Sequence, residues 1–271
     1  MAKGYESIEL DVRDGVATVR FNLPQYGNAL HLKGVQETLD ALHRAEADPN
    51  AGAIVLTGRG KAFCSGFNLK EIPADLDLDK MSAHFRVLAL WWHQVLHLIT
   101  RIRKPVLAAV NGVAAGSGLG MTLCADMAVC KDSARFLPAW HTIGLANDAT
   151  TSYSLVKIVG FRRAMEWMMT NRTVSAREAL DMQLVNRVYD EASFDRNVES
   201  IARQLADGPT HLQAMAKEGF HSGWRRSIEE ATEFEIQNVM QSVQHPYFAD
   251  SLRKFLAGER KSSQAQVTLP D

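Results

Sequence analysis

Four glycines stand within the ten residues Asn111–Gly120, NGVAAGSGLG, and no other stretch constrains the chain as much. The apolar run Val106–Val110 (VLAAV) enters this segment and a second apolar stretch, Met121–Val129, leaves it. Without a Cβ, a backbone turns tightly and comes close to a ligand or to another strand. A strand that enters such a turn, with a helix leaving it, aims free N–H groups at whatever anion or carbonyl oxygen sits there. Taken alone, the pattern favours close strand-to-helix packing with no ligand at all.

The rest of the composition narrows the class of protein. With 271 residues, 46% of them apolar and 23% charged, the chain can bury a sizeable core as one large domain or one domain with an appendage. A net charge of −1 offers no basic field for nucleic acid or an anionic membrane, so neither is an expected partner. The longest apolar runs are too short to span a bilayer. The opening MAKGYESIEL lacks the apolar core of a secretory signal, which makes the cytoplasm the expected compartment. Cys64, Cys124 and Cys130 have no CxxC spacing, so reduced buried thiols are expected rather than disulfides or a metal site.

Periodicity gives an alternating order of strands and helices. Ile8–Asn22 alternates about Asp14-Gly15 and predicts a β-hairpin. His31–Ala47 has apolar residues at helical spacing, Ala53–Thr57 and Val106–Val110 read as buried strands, and Met81–Ile102 reads as a long amphipathic helix stopped by Lys104-Pro105. Met127–Cys130 predicts a strand, and two helices split at Gly160 follow. Such alternation predicts β-α-β crossovers. From Ser193 onward helical patterns dominate (Phe194–Leu205, His211–Phe220, Ile228–Val243, Phe248–Leu256), which divides the chain into an α/β core, 1–192, and a helical region, 193–271. Its apolar residues predict packing on another subunit, and the polar end Lys261–Asp271 reads as frayed.

A second corner lies upstream of the glycine-rich one. Ala53–Thr57 leads through small residues into Ala62–Leu69, AFCSGFNL, where a turn would present the N–H of Phe67. Two such donors on one carbonyl oxygen make an oxyanion hole, each worth about 3 kcal/mol in a transition state. Together NAL (Asn28–Leu30), AFCSGFNL, KPVLAAVNGVAAGSGLG (Lys104–Gly120) and Ala125-Asp126 resemble the crotonase, or enoyl-CoA hydratase/isomerase, superfamily over nearly the whole chain. The resemblance implies a spiral of ββα units, a helical C-terminal region used in trimerisation, an acyl-CoA substrate, and a thioester carbonyl gripped by the amides of Phe67 and Ser117. No cofactor is implied beyond the coenzyme A that forms part of the substrate.

Within that superfamily the two hydratase glutamates fall on Gly120 and Trp140, neither of which exchanges a proton near neutral pH. His84–His97, Pro138–Gly160, Asn171–Thr173, Pro209–Glu218 and Glu233–Val239 resemble instead its aroyl-CoA dehalogenase branch, which acts on 4-chlorobenzoyl-CoA. That resemblance implies Asp148 as nucleophile, His93 as base, and Trp140 as the indole that orients the carboxylate. It further implies Phe67, Phe85, Trp92 and Trp140 as an apolar box for the ring, Gly116 beside the substrate, and Lys70 with Arg260 for the coenzyme A phosphates. Gly27, Ser117 and Ala146 stand where a basic residue and two glycines are expected.

The same residues have plainer readings. Asp148 precedes a helix and suits an N-cap or first-turn acid. His93 and His97, four apart, suit a hydrogen-bonded surface or a metal, with no third ligand suggested. The two tryptophans at 91 and 92 suit core packing. A hydratase or isomerase using other acids, or a non-catalytic acyl-CoA-binding protein, are the alternative functions.

Overall fold

The structure is a computed structural model, which describes residues 4–72, 77–258 and 268–270. The chain opens with β1 (Ile8–Arg13) and β2 (Val16–Phe21), an antiparallel pair. Asp14 and Gly15 both take positive φ (49° and 79°), the hairpin geometry whose twist matches that of the strands. Helix α1 (Leu32–Ala47) and β3 (Ala53–Gly58) follow, then β4 (Ala62–Cys64) and α2 (Leu78–Arg101). Helix α2 starts three residues before the periodicity suggested, because Asp77 caps it by accepting the N–H groups of Asp79 and Lys80, each at 3.1 Å.

Next come β5 (Val106–Val110), β6 (Val113–Ala115), α3 (Ser117–Cys124), β7 (Met127–Lys131) and β8 (Arg135–Leu137). Helices α4 (Thr151–Val159) and α5 (Phe161–Thr170) meet at Gly160, as expected, and β9 (Val174–Ser175), α6 (Ala176–Asp181) and β10 (Arg187–Tyr189) complete the α/β part. Helices α7 (Phe194–Ala206), α8 (Thr210–Gly223), α9 (Ile228–Gln244) and α10 (Pro246–Leu256) end it.

Two sheets organise these elements. The larger has the order β1-β2-β3-β5-β7-β10, parallel from β2 onward, and the smaller has the order β4-β6-β8-β9. In β3-β4-α2, β5-β6-α3 and β7-β8-α4 the chain places a strand in the large sheet, then one in the small sheet, then a helix. That repetition is a spiral of ββα units. The glycine-rich turn is therefore entered from β6, not directly from VLAAV, which is β5 of the other sheet.

The strand period of two splits the core. Ile54, Leu56, Val106, Ala108 and Val110 face the main cluster with the buried faces of α1 and α2. Their neighbours Ala53, Val55, Leu107 and Ala109 face a second cluster with Phe194, Ile201, Ala202 and Leu205 of α7. Helix α7 thus covers the second face of the large sheet, although its composition groups it with the helical region. Among the described residues, α9 and α10 bury none of their own side chains, and Ile228, Phe255 and Leu256 are 78%, 66% and 75% exposed. Residues 268–270 return to the body: Leu269 packs on the α7 cluster and the Pro270 carbonyl accepts from the Tyr189 hydroxyl at 2.9 Å. The remainder of the tail read as frayed lies outside the described residues.

Candidate active site

Three parallel strands of the small sheet, β4, β6 and β8, end beside one another, and each delivers one segment of a cavity of about 550 Å³. From β4 the chain turns through Gly66, at φ 98°, to Phe67. Leu30 pairs with this corner: its N–H donates to the Gly66 carbonyl and its carbonyl accepts from Asn68 N–H, both at 2.8 Å. Those bonds use the residues on either side of Phe67, so the Phe67 N–H faces away from the pairing. The buried Asn28 braces the strand itself, donating to the carbonyls of Ala62 (2.7 Å) and Arg59 (3.0 Å). The NAL motif is a splint for the first corner.

From β6 the chain passes Gly116, whose φ of 52° and ψ of −114° suit glycine alone, into Ser117 at the first helical position of α3. The first intrahelical bond runs from Gly120 N–H to the Gly116 carbonyl at 3.1 Å, so the Ser117 N–H has no helical acceptor. A Cβ on Gly118 would overlap the Cys64 carbonyl, so only glycine lets α3 lie this close to β4. The two corners then abut: a Cβ on Gly66 would stand 3.7 Å from the Ser117 nitrogen. The side chain at 117 is accommodated because the unusual backbone belongs to residue 116.

From β8 the chain passes Ala139, at φ 65°, into a 3-10 turn that starts at Trp140 and puts its indole over Gly116. The loop continues to Asp148, which lines the same cavity as Phe67, Phe85, Gly116, Ser117 and Trp140. Asp148 does not cap α4, whose N-cap is Thr150. Its carboxylate meets His93 instead, Oδ1 to Nε2 at 2.7 Å. Among the described residues the Trp140 indole makes no hydrogen bond to Asp148, whose bonded partner is His93. Burial pushes the Asp148 carboxyl up, but the His93 bond, the Ala149 N–H and the imidazolium charge together hold it below the usual carboxylate range. The bond to Asp148 raises His93 above its ordinary value, outweighing the burial that lowers it.

Helix α2 supplies another side of the site. Phe85, Ala89 and His93 follow one another at i, i+4 and i+8 on one face, with Phe85 and Ala89 in the cavity wall. Leu88, Trp92, Val95 and Ile99 form the core-facing stripe. Trp92 is fully buried, edge-on to Phe67 with ring centroids 6.1 Å apart, and is not among the residues that line the cavity. Leu137, Ile143 and Leu145 line the cavity without having been singled out. Lys70 is exposed on the turn Leu69–Glu71 next to the wall residue Leu69. Arg260 lies outside the described residues. Gly27 takes a left-handed conformation (φ 62°), and Ala146 lines the cavity.

Two corners, at Phe67 and Ser117, that abut on adjacent strand ends of a ββα spiral define the class. The chain belongs to the enoyl-CoA hydratase/isomerase family, whose sequence profile matches residues 11–264. It is 51% identical over 262 residues to two Arthrobacter sp proteins, 4-chlorobenzoyl coenzyme A dehalogenase-1 and dehalogenase-2, covering 97% of this chain and 95% of each of theirs. An enoyl-CoA hydratase structure from Mycobacterium smegmatis superposes with a TM-score of 0.85 at 27% identity, covering 97% of this chain and 99% of that one.

Proposed function

We propose that this enzyme hydrolyses 4-chlorobenzoyl-CoA to 4-hydroxybenzoyl-CoA and chloride. The observation that carries the reading is the Asp148 carboxyl, held by His93 at 2.7 Å, in the cavity that also receives the Phe67 and Ser117 corners. An aryl halide yields to a nucleophile only if the ring has somewhere to send the incoming electron pair. The thioester carbonyl is that acceptor when two amides and the N-terminus of α3 stabilise its oxygen. An Asp148 oxygen attacks the ring carbon bearing chlorine, and the electron pair moves through the ring onto the carbonyl oxygen. Its return expels chloride with the carbon–chlorine pair and leaves an aryl-aspartyl ester. Water then attacks the Asp148 acyl carbon, which frees the hydroxylated product and restores the carboxylate.

The pairing of His93 with Asp148 times the second step. While Asp148 is anionic, it favours the protonated imidazole. Ester formation removes that negative charge, and burial alone then favours neutral imidazole, the form that takes a proton from water. His93 becomes a base at the stage that needs one. The ring fills the apolar wall of Phe67, Phe85 and Trp140, and Lys70, exposed beside the wall residue Leu69, is the candidate partner for a coenzyme A phosphate. The chemistry calls for no cofactor, because coenzyme A arrives with the substrate.

The exposed apolar side chains of α8 to α10, Phe220 and Trp224 among them, support self-association, and the family resemblance favours a trimer. Three buried free cysteines suit a reducing cytoplasm, and no helix among the described residues is long and apolar enough to cross a membrane. One assay tests the reading: incubation with 4-chlorobenzoyl-CoA should release one chloride per hydroxylated product. Hydration of crotonyl-CoA with no chloride from the aroyl thioester would replace it with the hydratase alternative, and tight aroyl-CoA binding without any product would replace it with a binding protein.

A further inference from the structure

Asp148 sits on backbone that no sequence motif announces. The two residues after it, Ala149 and Thr150, both take left-handed conformations, at φ 54° and 62°, which L-residues avoid unless their surroundings enforce them. One end of this turn is tied to α4, where the Asp148 carbonyl accepts from the Thr151 N–H at 3.1 Å and the Thr151 hydroxyl at 2.7 Å. The other end rests on α3: Ala149 is fully buried, and Thr150 Oγ1 lies 3.2 Å from Cys124 Sγ. The point of closest approach is Gly120. A Cβ built there would stand 2.5 Å from the Ala149 Cβ and 2.7 Å from the Ala149 carbonyl oxygen, well inside the separation at which carbon atoms pack.

We propose that Gly120 is a positioning residue for Asp148. Its bare Cα is the socket that seats the Ala149 corner, and that seating sets the reach of the carboxylate toward a ring anchored by the Phe67 and Ser117 amides. The inference rests on Asp148 being the nucleophile. It also gives a physical meaning to the loss of the first hydratase glutamate, which falls at this position. Any glutamate brings a Cβ with it, so an acid at residue 120 and an aspartate carried on this turn compete for the same space. In this backbone the two chemistries exclude one another.

The test compares the parent enzyme with Gly120→Ala, Ala149→Gly and the double variant, reading kcat for chloride release and Kd for 4-hydroxybenzoyl-CoA. Gly120→Ala should lower kcat about 100-fold, the scale of an ångström-sized misplacement, with Kd changed less than about threefold. Adding Ala149→Gly removes one of the two clashing atoms and should recover about tenfold in kcat, a coupling that independent sites would not show. Unchanged kcat in Gly120→Ala overturns the proposal. So does a loss of binding as large as the loss of turnover with no rescue, because that describes a general packing role. Should the single variant not accumulate as folded protein, the comparison is between Ala149→Gly and the double variant. The approach to the carbonyl oxygen remains there, and kcat should still fall at least about fivefold; equal kcat values overturn the proposal. If the parent itself releases no chloride, it is the dehalogenase reading that fails, and a parent that turns over beside an equally fast Gly120→Ala sinks only this inference.

Discussion

The two walls of the cavity are made of different material. One is backbone: the corners at Phe67 and Ser117 stand on adjacent strand ends, splinted by Asn28 and Leu30 and admitted by Gly118. The other is a loop, residues 138–150, whose contribution is side chains, held on non-glycine residues at positive φ at Ala139, Ala149 and Thr150. An amide N–H survives almost any substitution at its own residue, whereas a carboxylate or an indole does not. In the proposed reaction the first wall holds the thioester carbonyl and the second carries the groups that react with the ring.

The largest effect should come from the side-chain wall. Asp148→Asn keeps the size of the residue and removes the proposed nucleophile, so chloride release should fall by about 10⁴-fold or more, on the scale seen when a covalent nucleophile is lost. Affinity for 4-hydroxybenzoyl-CoA, measured by calorimetry, should stay within about tenfold, since the amides that hold the carbonyl are untouched. A binding loss as large as the catalytic one would mean that the two walls are not separable.

His93 comes next. His93→Gln should slow turnover by about 10² to 10⁴-fold, the usual contribution of a general base, and it should do so after chloride has left. A single burst of chloride and an aspartyl adduct visible by intact mass are expected; slow chloride release without adduct would place His93 in the first step. The pair also makes a pH prediction. Asp148 has its carboxyl depressed, so its share of stability is present above the ordinary carboxylate value and fades as pH falls through the depressed one. His93 is raised, so its share is complete below the ordinary histidine value and is lost as pH rises through the raised one. The difference in melting temperature between parent and His93→Gln should accordingly shrink at both ends of that window. In Asp148→Asn, the imidazole should titrate lower than in the parent by NMR, because the bond that raises it has lost its charge.

Length and periodicity decide what the sequence discloses. The hairpin at Asp14-Gly15, the strands of the large sheet and all the long helices carry enough residues for a period to emerge. The strands that aim the site, Ala62–Cys64, Val113–Ala115 and Arg135–Leu137, have three residues each, too few for any alternation, so the second sheet is invisible to pattern. The glycine-rich turn was legible as a place of close approach, but not which strand enters it. The site residues came from resemblance, and one of them shows what spacing does not disclose. Trp92 stands seven residues after Phe85, nearly the same direction around α2, so its place behind the Phe67 ring rather than in the cavity wall is a tertiary contact that helix spacing does not announce. The seat beneath Asp148 had no signal of its own, because a contact between Gly120 and Ala149 joins residues 29 apart in the chain and depends on a left-handed turn that neither residue announces.

The smallest effects lie within the backbone wall, at two neighbouring residues that should answer oppositely. Gly116→Ala places a Cβ on a residue at φ 52°, ψ −114°, a conformation closed to L-residues. The corner must shift, and the Ser117 N–H with it. Loss of one oxyanion donor costs about 10²-fold in kcat at the least, and the carbonyl stretch of bound 4-hydroxybenzoyl-CoA should move toward that of the free thioester. Ser117→Gly, one residue on, leaves the amide and the helical geometry of α3 in place and should alter kcat by no more than about twofold, far less than a lost donor. A large loss at Ser117→Gly would show that its hydroxyl takes part, which would bring a polar side chain into a wall whose polar groups are otherwise backbone.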